Sequence, residues 1–87
     1  PIDILATGDD GTLYVLELKV SRGADATVGQ VLRYMGAVRA DIAAGRRVLG
    51  VIVASTLTDK LKMAVAEVEG KVIAVEYEMQ VALRRHT

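Results

Sequence analysis

Ile2-Asp3-Ile4-Leu5-Ala6-Thr7 and Thr12-Leu13-Tyr14-Val15-Leu16-Glu17-Leu18-Lys19-Val20 flank the cluster Gly8-Asp9-Asp10-Gly11, and the reading of this stretch decides the fold. Two β-favouring runs around a Gly/Asp turn predict a hairpin with strands over residues 2–7 and 12–20. Side chains alternate across a strand, so Glu17 and Lys19 project to one side and Leu16 and Leu18 to the other. If residue numbers across the hairpin sum to 20, Asp3 lies opposite Glu17, Leu5 opposite Val15, and a five-residue loop spans Gly8 to Thr12. A sum of 19 would instead set Asp3 against Leu16 and dissolve the acidic pair.

Beyond the hairpin, residues 25–44 read as a helix. Asp25 suits its N-cap, and Val28, Val31, Leu32, Met35, Val38 and Ile42 recur at helical spacing. Gly45 stands where a helix-ending glycine belongs. The apolar run at 47–54 has the composition of a strand buried on both faces. Thr58 or Asp59 caps a second helix reaching about Glu69, with Leu61, Ala64, Val65 and Val68 inward and Gly70 at its end. Residues 71–77 form a further strand, and 80–83 could add an edge strand. The order hairpin, helix, strand, helix, strand predicts an α/β fold on a mixed sheet, antiparallel at the hairpin and parallel afterwards.

With 87 residues the chain is one domain, and its 52% hydrophobic content argues against disorder. The lack of an initiator Met suggests a fragment of a longer protein without its N-terminal region. No cysteine is present, which excludes disulfides and thiolate zinc sites and fits a reducing compartment, the cytoplasm. No stretch reaches the ~20 apolar residues of a membrane span. Eleven Lys and Arg balance eleven Asp and Glu, which weighs against a stand-alone nonspecific nucleic-acid binder. It leaves room for an enzyme whose acidic centre offsets Arg33, Arg39, Arg46, Arg47, Arg84 and Arg85.

Opposed carboxylates repel by about 0.2–1 kcal/mol, and a divalent cation between them reverses that sign. A few oxygen ligands, completed by water and phosphate, suit Mg²⁺ or Mn²⁺ rather than zinc. The candidate metal ligands are Asp3, Glu17 and the Leu18 backbone carbonyl. Lys19 would stand nearby, either orienting the attacking water or stabilising charge on phosphorus; two neighbouring carboxylates favour its charged form and hence the second role. Gln30 and Tyr34 lie one helical turn apart on a flank of the first helix. They could reach the site, or Tyr34 could simply pack on the sheet with Gln30 in solvent. Asp9 and Asp10 read as turn formers, and Glu67, Glu69, Glu76 and Glu78 as solvated positions. Gly29, Gly36, Ala40 and Ala43 make a small-residue face on the first helix, roughly opposite its inner stripe.

Ile2-Asp3-Ile4-Leu5-Ala6, Leu16-Glu17-Leu18-Lys19, Gly29-Gln30-Val31-Leu32-Arg33-Tyr34-Met35-Gly36 and Gly50-Val51-Ile52-Val53-Ala54 together resemble the C-terminal nuclease domain of the NucS/EndoMS endonucleases, within the restriction-endonuclease-like PD-(D/E)xK superfamily. The acid-x-Lys element is common across that superfamily, whereas the Gln-Val-Leu-Arg-Tyr-Met-Gly block is much narrower. The resemblance implies Asp3 and Glu17 as metal ligands, Lys19 as the catalytic lysine, and Gln30 with Tyr34 as the helix pair beside them. It also implies Mg²⁺- or Mn²⁺-dependent cleavage of branched or mismatched DNA by a homodimer. The family's N-terminal DNA-binding and dimerisation region has no counterpart in this sequence. The rival expectation is a non-catalytic nucleic-acid-binding or dimerisation module of the same fold. A small metabolic α/β domain has less support, because no phosphate-cradling glycine loop follows a strand.

Overall fold

A computed structural model of the chain describes residues 3–18 and 23–86. Its elements are β1 (Ile4–Thr7), β2 (Leu13–Glu17), α1 (Ala24–Asp41), β3 (Val48–Ala54), α2 (Asp59–Ala66) and β4 (Val72–Glu76). They form one sheet in the order β1-β2-β3-β4, with β1 antiparallel to β2 and the remaining pairs parallel. This is the α/β mixed sheet expected from the sequence. Residues 77–86 continue without regular structure, so the possible extra strand at 80–83 does not form.

The hairpin takes the register in which paired numbers sum to 20: Ile4 faces Leu16 and Leu5 faces Val15. The turn sets this register from within. Gly8 N–H donates to Thr12 O at 2.8 Å, and Gly11, at φ +86°, adopts a conformation open to glycine at little cost. Asp10 Oδ1 accepts from Thr12 N–H at 2.9 Å, the turn-forming role its position predicted.

Two successive right-handed crossovers step the same way across the sheet, so α1 and α2 share one face. Val28, Val31, Met35 and Val38 of α1 and Leu61 of α2 pack there on Leu13, Val15, Val48, Ile52 and Val72. Gly50 lets α1 approach closely: a Cβ at that position would lie 2.6 Å from Val31 Cγ1 and 2.8 Å from Met35 Sδ. α1 differs from its predicted ends. Gly23 rather than Asp25 is the N-cap, and the helix stops at Asp41. Ala43 turns into the core while Ile42 stays 49% exposed, so Ala43 does not belong to an outward small-residue face. α2 is capped as predicted, with Thr58 Oγ1 accepting from Leu61 N–H at 3.2 Å.

The other sheet face carries Ile4, Leu16, Leu18, Leu49, Val51, Val53, Ile73 and Val75, and among the described residues no helix covers it. β3 is therefore central in the sheet but not sandwiched between two layers.

Candidate functional site

Alternation along β2 puts Glu17 on the same side as Leu13 and Val15, which is the side the helices cover. Glu17 is accordingly only 9% exposed. A carboxylate in that position needs hydrogen-bond donors. Gln30, from the second turn of α1, supplies one: its Nε2 donates to Glu17 Oε2 at 3.1 Å. Gln30 is thus not simply solvated: among the described residues its side-chain amide bonds Glu17.

Asp3 immediately precedes β1, and the hairpin register continued by one residue would set it opposite Glu17. Its Oδ2 accepts from the Leu18 backbone N–H at 2.9 Å, so Asp3 is tied to the end of β2 beside Glu17. Side chains facing each other across an antiparallel pair leave the sheet on the same side. Asp3, Glu17 and Gln30 thus gather at the carboxyl end of β2, where α1 crosses the sheet. Lys19, two residues after Glu17 in the sequence, lies outside the described residues.

Tyr34 lies half-buried against the hydrophobic core. Leu18 leaves the sheet on the uncovered side, so any part it takes in binding is through its backbone. Among the described residues no group of three or more His, Cys, Asp or Glu side chains is disposed to hold a metal ion. A cation at Asp3 and Glu17 would need oxygens from the backbone, water or a phosphate to complete its shell. Their chemistry fits a hard divalent cation: two carboxylates, each oriented by a neutral N–H donor.

The distal charges do not join this cluster. Arg46 is occupied at the end of α1, where Nε donates to Ala43 O and a terminal nitrogen donates to Ile42 O. Glu76 is not a purely solvated edge residue, since its Oε1 accepts from Leu57 N–H at 2.9 Å ahead of α2. That contact spans nineteen positions, and no local spacing signals it.

Fold and acids together define an α/β domain whose edge hairpin brings two carboxylates to the end of β2, one of them bonded to the first crossover helix. The profile of the endonuclease NucS C-terminal domain matches residues 1–85, and the chain belongs to this family of endonucleases. It is 37% identical over 67 residues to Endonuclease NucS 1 of Halobacterium salinarum, covering 77% of this chain and 28% of that protein. The crystal structure of a repair endonuclease from Pyrococcus abyssi superposes with TM-score 0.69 and 31% identity, over 88% of this chain and 32% of that one. A structure of EndoMS in complex with double-stranded DNA gives TM-score 0.65 and 26% identity, over 91% and 32%. The chain thus spans 28–32% of the length of these relatives. No helix among the described residues is long and apolar enough to cross a membrane.

Proposed function

We propose that this domain carries the phosphodiester-cleaving centre of a DNA endonuclease, with Mg²⁺ or Mn²⁺ held by Asp3, Glu17 and the Leu18 backbone carbonyl. The observation that supports this most is the gathering of Asp3 and Glu17 at one end of the hairpin, each carboxylate oriented by an N–H donor. A bound cation of this kind lowers the pKa of water and offsets charge on the attacked phosphate.

The chain's own residues then take distinct parts. Gln30 holds Glu17 in a fixed rotamer, so the carboxylate needs little reorganisation when it binds. Leu18 N–H does the same for Asp3. Lys19, two residues after Glu17 in the sequence, would offset charge developing on phosphorus. Tyr34, one turn beyond Gln30, offers a hydroxyl at the margin of the site. Double-stranded DNA is bound by the similar EndoMS, which supports DNA as the substrate class here. Branched or mismatched DNA, a homodimeric full-length protein and a cytoplasmic setting complete the proposal.

Cleavage of mismatched and branched duplexes by the full-length protein tests it. Glu17→Ala and Lys19→Ala should each lower the rate at least about 100-fold with folding retained by circular dichroism. Undiminished cleavage by Glu17→Ala would overturn the assignment and favour a non-catalytic binding module.

A further inference from the structure

Asp3, which bears one of the two carboxylates, is the residue just ahead of β1, and β1 is weakly held. It has four residues, three of them exposed, and among the described elements it packs on β2 alone. Two-stranded pairing of this length is marginal without further support. The ladder also fixes how the acids meet. Gly8 N–H donates to Thr12 O, which makes that facing pair a hydrogen-bonded one. Alternation then makes Ala6–Tyr14 and Ile4–Leu16 hydrogen-bonded pairs, and carried one residue past the ladder it would give Asp3 and Glu17 the closer, non-hydrogen-bonded geometry. Where the ladder ends, the Asp3 carboxylate takes the next N–H of β2, that of Leu18.

We infer that cation binding and docking of the edge strand are one event: an ion shared by Asp3 and Glu17 clamps β1 onto β2. In its absence β1, though paired with β2, opens locally more often, and each opening takes Asp3 out of the site. The inference rests on the proposed metal ligation. Opening β1 removes a ligand, so bound cation disfavours the open form by the factor 1 + [L]/Kd. At a hundred times the dissociation constant, the amides of Ile4 and Ala6 should exchange with solvent about 100-fold more slowly.

Hydrogen exchange of the full chain with and without Mn²⁺, read by mass spectrometry over the hairpin, tests the coupling alongside calorimetric titration of Mn²⁺. Wild type should bind the ion and gain protection in β1. Asp3→Asn keeps an acceptor for Leu18 N–H but loses the charge, and should gain none. Binding by wild type with unchanged β1 exchange would overturn the clamp while leaving the metal site standing. Protection that persists in Asp3→Asn would also overturn it. No binding by wild type would remove the site and the clamp together.

Discussion

Glu17 occupies a place on β2 where its neighbours on the same face are Leu13 and Val15, and a carboxylate there forgoes most of its hydration. The alternation of the strand predicted which residues accompany Glu17, but not that the helices take its side. Periodicity separates two faces without saying which one a crossover helix will cover. Gln30 was legible as a residue within reach of the strand because helical spacing sets it on a flank of the buried stripe. That it grips Glu17 depends on the depth at which α1 sits, and Gly50 sets that depth. An alanine there would drive its Cβ into Val31 and Met35. Gly50→Ala should therefore destabilise the domain by about 1–3 kcal/mol in denaturant titration, and it should also weaken the Gln30–Glu17 contact as α1 is pushed outward. A neutral Gly50→Ala would mean that α1 has room to shift, contrary to the packing described.

At the level of elements, the hairpin was the most legible part, since its turn chemistry and its register are written in adjacent residues. Glycines at 8 and 11 and an acid at 10 define the loop, and the loop length then sets every pair to Ile4–Leu16. Helix ends were less legible. Asp25 is a good N-cap by type, but α1 starts one turn residue earlier from Gly23 and places Asp25 in its first turn, where the helix dipole still favours it. The hairpin turn also makes a prediction in pH. Hydrogen bonds from the Thr12 backbone and then its side chain, outweighing desolvation, hold the Asp10 carboxyl below its ordinary value. A depressed folded-state pKa means that this contribution is fully present above the unfolded value and fades as pH falls through the folded one. Asp10→Asn keeps an acceptor without the titration, so its acid-unfolding profile should be flatter over that interval. Identical acid profiles for the two proteins would remove Asp10 from the account.

The molecule as a whole has one sheet face packed by α1 and α2 and one left apolar and uncovered. Ile4, Leu18, Ile73 and Val75 on that face are 41–44% exposed, and no charged side chain interrupts it within the strands. The chain order predicted both crossovers, and their common handedness accounts for the single helical layer. The composition of β3 suggested burial on both faces, and none of its residues is exposed, although no described helix packs on the second face. An exposed apolar surface of this kind associates readily. Val75→Thr together with Ile73→Thr should lower binding of a hydrophobic dye by the 87-residue chain. Stability should change by less than about 1 kcal/mol, since neither side chain is buried. A large loss of stability would mean that the face is packed in solution. The proposed site lies on the opposite, helix-covered side, where one cation would be shared by Glu17 of β2 and by Asp3 just ahead of β1. Titrating Mn²⁺ calorimetrically into wild type, Asp3→Ala and Glu17→Ala tests this most directly. Single-site binding by wild type that is lost in both variants is the predicted result, and undiminished affinity in either variant would contradict it.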